Sequence, residues 1–392
     1  MKKHILILKK ATFGLLCISL LTTACKKKSD DPAPAPSDEV ITLKQSKLSG
    51  ANENPAVTTT ASGTVEGSLN KTSNKLTYKI SYSNLTPTGM HIHAGFAGVN
   101  GAVAIDLGTP TSSPAEATVL LTDAQEEDLL AGKLYVNIHT SGNAGGELRA
   151  QILTNDIVLY QNALSGANQV PAVTTTSTGT FYGTFNKSTK IMNYTFVYSG
   201  TTPNGAHIHD GLAGATGGVV FTLATPAAGT TSGTTLAFTD AQVANLEAGK
   251  MYVNVHTAAN GNGEVRAQLA NENVWVYNNI TLSGANEVPA VTASSSGKAY
   301  VTYNALSSKL DYVLITNMLT ANGAHLHAGA IGAAGAVLYT LTTPAAGAGD
   351  VTTTGTVNAV SATDAQTLKA GNTYINIHTA TNASGELRGQ VK

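Results

Sequence analysis

Residues 135–152 read YVNIHTSGNAGGELRAQI: an alternating run that ends on a histidine, a turn rich in Gly and Asn, and a second alternating run. Alternation with a period of two marks a half-buried β-strand, and the Gly/Asn cluster marks the turn between two of them. The stretch returns as YVNVHTAANGNGEVRAQL at 252–269 and as YINIHTATNASGELRGQV at 374–391. Whole blocks repeat around it. LSGANENPAVTTTASGT begins at Leu48, LSGANQVPAVTTTSTGT at Leu164 and LSGANEVPAVTASSSGK at Leu282, 116 and 118 residues apart. A period this long exceeds the roughly 20 to 50 residues of solenoid repeats, so each copy is a whole domain. Motif positions place the copies at 41–153, 157–271 and 274–392.

Within a copy, GTVEGSLN, NKLTYKISYSNL, AVAIDL and KLYVNIHT read as short strands separated by Gly, Asn, Pro and Thr turns. The expected fold is all-β: three tandem antiparallel sandwiches of Greek-key or immunoglobulin-like type. One short helix interrupts each. Thr122-Asp-Ala-Gln125, Thr239-Asp-Ala-Gln242 and Thr363-Asp-Ala-Gln366 are capping-box patterns, each followed by leucine and a closing Ala-Gly, just before the third-histidine strand.

The 392 residues are 42% hydrophobic, enough for real cores, but only 12% charged with a net charge of -1. Such a balance points away from a nucleic-acid surface. The N-terminus, MKKHILILKKATFGLLCISLLTTAC, has lysines and then a short apolar run, which reads as a secretion signal over residues 1–25. Its end, LTTAC, resembles the lipobox of bacterial lipoproteins and makes Cys25 the lipidated residue. Cys17 would leave with the signal, so no thiol remains for a disulfide. KKKSDDPAPAPSDE then reads as an extended tether over 26–40. Together these imply an extracytoplasmic protein held to the bacterial cell envelope, at the periplasmic or surface face of the outer membrane, by a lipid on Cys25.

Ten histidines occur, one of them His4 in the signal. The others are His91, His93 and His139, then His207, His209 and His256, then His325, His327 and His378. On a strand, residues i and i+2 share a face, so His91 and His93 project together, away from Ile92 and from the core. Three imidazoles without a carboxylate suit copper or zinc, one ion per domain. The competing reading is that each histidine bonds and orders a loop. In Gly-Glu-Leu-Arg, Glu147 and Arg149 share the outer face, as do Glu264 and Arg266, and Glu386 and Arg388. They read either as a solvent-side charge pair worth little, or as a carboxylate that accepts an imidazole N–H beside a cation that attracts an anion. Glu53 and Glu287 correspond to Gln169, so no ionised carboxylate is required there.

The LSGANE(V/N)PAVT start, the HIHAG middle and the NIHT…GELR(A)Q end resemble the CHRD domain, three times over. That resemblance implies an antiparallel sandwich in an extracellular setting. A fainter likeness is to copper/zinc superoxide dismutase, whose copper sits on a His-x-His strand and a later His, and whose Gly-Asn-Ala-Gly turn Gly142-Asn-Ala-Gly145 is similar to. The chain departs from that enzyme in lacking further zinc histidines and the cysteine pair. No nucleophile with a base and no phosphate-cradling loop recurs in the copies, so binding is favoured over catalysis. Three readings follow: an envelope-anchored binding protein with a metal site per domain, a copper-dependent redox protein, or an adhesive module whose copies give avidity for an extracellular protein or polysaccharide.

Overall fold

A computed structural model describes residues 38–392; the signal, Cys25 and the tether up to residue 37 lie outside the described residues. In copy 1 the strands are β1 (Val40–Leu48), β2 (Ser62–Asn70), β3 (Lys75–Ser83), β4 (Gly89–Ala94), β5 (Ala102–Asp106) and β6 (Ala115–Leu120). Helix α1 (Asp123–Leu130) leads into β7 (Leu134–His139) and β8 (Leu148–Gln151). The strands form two antiparallel sheets, ordered β6-β3-β2-β1, with the short strand Leu153–Thr154 added beside β1, and β5-β4-β7-β8; copies 2 and 3 repeat both four-strand orders. The chain leaves the first sheet for the β4–β5 hairpin, returns as β6 beside β3, then crosses again to lay β7 beside β4. The crossings between sheets are of Greek-key type, but the strand order is not that of an immunoglobulin domain, which would put its third strand in the second sheet.

Alternation decides what each sheet buries. Val65, Leu69, Leu76 and Ile80 point inward from the first sheet and Ile92, Val136, Ile138 and Leu148 from the second, making the core of copy 1. Copies 2 and 3 each have a core of their own, with Phe181, Phe185 and Phe196 thickening the second. Among the described residues no helix is long and apolar enough to cross a membrane.

The helices start where capping chemistry places them in two copies. Thr122 accepts from the Gln125 backbone N–H while the Gln125 side chain accepts from the Thr122 N–H, and Thr239 and Gln242 do the same. Copy 3 differs: its cap is Ser361, not Thr363, and the helix runs Ala362–Lys369. Ser361 accepts from the Asp364 N–H, and the Asp364 carboxylate accepts from both Ser361 Oγ and Tyr339 Oη. A serine one residue after the buried Val360, with an acid at N3, out-competes the later threonine.

Copies pack through a repeated contact. Tyr182 of copy 2 sits on Gly98 of copy 1, and Tyr300 of copy 3 sits on Gly214 of copy 2. Between copies 2 and 3, Lys250 also pairs with the buried Asp311 at 3.2 Å, and Asn304 donates to the Glu247 carbonyl at 2.7 Å.

Candidate metal centre

Register brings the three histidines of each copy together. In copy 1, His91 lies opposite Asn137 and His93 opposite Tyr135, so His139, two residues past Asn137, is diagonal to His91 on the same face. One nitrogen from each ring lies within 4.8 Å of the other two, and the same holds for His207, His209 and His256 and for His325, His327 and His378. His91 Nδ1 is 3.0 Å from His139 Nε2; the matching distances are 2.9 Å in copy 2 and 3.0 Å in copy 3.

Backbone carbonyls fix the tautomers. His93 Nδ1 is 3.0 Å from the Gly101 carbonyl, and His139 Nδ1 is 2.9 Å from that of Ala144. A carbonyl only accepts, so both protons sit on Nδ1 and both Nε2 atoms present lone pairs. His209 and His256 repeat this with Gly217 and Gly261, and His327 and His378 with Gly335 and Ala383. The Nε2 of His93, of His209 and of His327 is buried without a protein partner. Burial also holds the imidazoles of His93, His139, His207, His209, His325 and His327 below the usual histidine range, which keeps them neutral as a metal requires. In copy 1 alone a carboxylate approaches, Asp106 at 3.6 Å from His91 Nε2; Thr222 and Thr340 take its place in the other copies.

The outer face is not the solvent-side surface that alternation suggests. Glu147 makes no bond to an imidazole: its carboxylate accepts from Thr59 at 2.6 Å, Thr140 at 2.7 Å and Asn143 at 3.2 Å, and these donors hold it below the usual carboxylate range. Glu264 likewise accepts from Thr175, Ser177, Thr257 and Asn260, and Glu386 from Ser295, Thr379 and Asn382. These carboxylates fasten the N-terminal motif to the turn after the third histidine. Arg149 is not turned to solvent, where it could attract an anion; it is 2% exposed and donates to the carbonyls of Phe96 and Val99 and to Asn100 Oδ1. Its guanidinium lies 3.5 Å from the centroid of the Tyr135 ring, and Tyr135 stacks on His93 with centroids 5.0 Å apart. Arg266 on Tyr252 and His209, and Arg388 on Tyr374 and His327, build the same pile. The cause is the loop 95–101, which folds back over the sheet and brings its carbonyls to the arginine. Tyr135, Tyr252 and Tyr374, which stack on the second histidine of each triad, escaped the sequence reading although each stands four residues before a recurring histidine.

A family model for the CHRD domain matches residues 44–152, 160–269 and 279–391. The chain belongs to the CHRD domain family. No curated protein and no solved structure matches it.

Each CHRD domain also buries a polar residue from its first motif under the turn that follows the third histidine. Glu53 and Glu287 receive Asn137 Nδ2 at 3.5 Å and Asn376 Nδ2 at 3.4 Å, and Gln169 is their counterpart. The turn can close over them because Gly146, Gly263 and Gly385 have φ between 129° and 137°, and a Cβ there would strike Asn137, Gln169 or Asn376. Burial pushes Glu53 and Glu287 up to about 7 against the pull of Arg149 and Arg388. A carboxyl that binds its proton more tightly when folded stabilises fully below its ordinary value of 4.5, and this stability is lost as pH rises through about 7. Domains 1 and 3 are therefore expected to lose about 1 to 2 kcal/mol each between about pH 5 and pH 8, after allowance for partial solvent screening. Domain 2, with Gln169, should not. Denaturant unfolding across that range checks this, and the combined change Glu53→Gln and Glu287→Gln should abolish the loss, leaving the opposite rise that the lowered imidazoles give.

Proposed function

We propose that this protein is a lipid-anchored, extracytoplasmic array of three metal-binding CHRD domains, each taking one copper or zinc ion on its histidine triad. The observation that carries the reading is the buried, unpartnered Nε2 of His93, His209 and His327, an acceptor with no donor, turned toward two further imidazoles in all three domains. Three imidazole nitrogens on paired strands, with carbonyls holding two of the tautomers, fit such an ion. His91 would join the set through Nδ1 with its proton on Nε2, the nitrogen that Asp106 approaches to 3.6 Å in domain 1. The anchor rests on the LTTAC sequence and Cys25, and the envelope setting follows from it. A bound copper would supply redox chemistry and a bound zinc would not, so the metal chosen separates capture from catalysis.

The test is metal content and competitive titration of residues 26–392 with copper and with zinc. Three ions per chain held against a micromolar chelator are expected, with copper giving the spin-resonance signature of nitrogen ligation. Absence of binding tighter than about 10 micromolar at neutral pH would return the histidines to loop ordering and leave an adhesive array.

A further inference from the structure

Domains 1 and 2 each hold the next domain through one seat. In domain 1 it is the left-handed Gly98 (φ 79°), where a Cβ would stand 2.6 Å from Tyr182 Cδ2; beside it Ala97 is 6% exposed. In domain 2, Gly214 (φ 81°) takes the Tyr300 ring in the same way, and Ala213 and Tyr300 cluster with Val313. Tyr182 pairs across its sheet with Thr195, and Tyr300 with Val313, so each incoming surface is an aromatic among small uncharged neighbours.

Domain 3 has the seat as well. Gly332 keeps φ at 75°, yet a Cβ there would meet nothing within 4 Å, and Ile331, the counterpart of Ala97 and Ala213, is 66% exposed. A groove of about 500 Å³ opens there, with Ile331, Gly332, Glu287, Arg388 and Gln390 among its walls. Its loop is already set: Arg388 donates to the carbonyls of Ala330 and Ala333 while stacked on Tyr374. Docking there would cost little reorganisation.

A second copy of this chain does not match the seat. At the position of Tyr182 and Tyr300, domain 1 has Glu66, paired across the sheet with Lys79 where the others have Thr195 and Val313. Glu66 and Lys79 are 3.3 Å apart and both reach solvent, so seating that face would strip water from two charges. We propose that the Gly332 seat of domain 3 docks a separate protein that presents a tyrosine from an uncharged antiparallel sheet face, the chemistry Tyr182 and Tyr300 supply within the chain.

The test builds that chemistry onto the chain itself. Residues 26–392 carrying Glu66→Tyr and Lys79→Val offer the tyrosine face, and Ile331→Arg in the same chain closes its own seat; all three positions are exposed or half-exposed, so the fold should hold, checked by circular dichroism. Mixed with the unaltered chain at tens of micromolar, this probe is expected to sediment as a one-to-one complex, and not to do so when the second chain also carries Ile331→Arg. No complex at about 100 micromolar with both chains folded would overturn the proposal. So would a complex that survives Ile331→Arg, or head-to-tail assembly of the unaltered chain alone. Should the double change unfold domain 1, Glu66→Tyr by itself carries the same comparison.

Discussion

Changing His93, His209 and His327 together to alanine is expected to take tight metal uptake from three ions per chain to none. Each of these residues contributes the buried lone pair that has no other partner, and its loss leaves two imidazoles, one of which can simply bond the other. A fall of at least about 100-fold in affinity per site is expected, or roughly 2.7 kcal/mol. The fold should survive, because the protein bond lost in domain 1 is the single one from His93 Nδ1 to Gly101, worth about 1 kcal/mol. Metal should therefore raise the melting temperature of the unaltered chain and leave that of the variant where it was. If the histidines only ordered loops, both proteins would respond to metal alike.

The second large effect concerns Arg266→Ala, expected to destabilise domain 2 by about 3 to 5 kcal/mol. Burial draws the Arg266 guanidinium down to about 10, still a cation at neutral pH, and it is held by the carbonyls of Leu212 and Ala215 at 2.8 Å and by the Tyr252 ring 3.4 Å away. Removing it leaves the Ala215 carbonyl without its donor, takes one of two donors from the Leu212 carbonyl, which keeps the Ala215 N–H, and opens a hole behind Tyr252. Lysine should not rescue the variant, because an ammonium lacks the planar fork that reaches both carbonyls and the flat face that stacks on the ring. The same loop carries Gly217, whose carbonyl sets the His209 tautomer. Where the variant still folds, metal affinity at domain 2 should drop about 10- to 100-fold with the other two sites unchanged, and denaturant unfolding read beside metal titration separates the two losses.

Much of this was legible in the residues. A period of two placed Ile92, Val136 and Ile138 inward and the histidines outward, and the repeats gave three domains, each with a histidine triad. Capping patterns located all three helices, but the third starts two residues earlier than expected because Ser361 offered a better-placed oxygen than Thr363. The outer face was misread at Glu147 and Arg149. Alternation tells which side of a sheet a residue takes, but not whether a distant loop will cover that side.

By itself, then, the sequence determined the sandwich, its threefold repetition and the nine histidines, since these follow from local periodicity and identity. Only the tertiary structure decided that β4 and β7 are neighbours, which turns two motifs about 45 residues apart into one set of nitrogens. It also decided which nitrogen of each ring carries the proton, because that depends on carbonyls delivered by loops remote in the chain. And it showed that one glycine seat, repeated three times, is covered twice by a tyrosine of the next domain and left open the third time. A sequence records the residues of such a contact, but whether a surface is covered depends on what the rest of the chain brings to it.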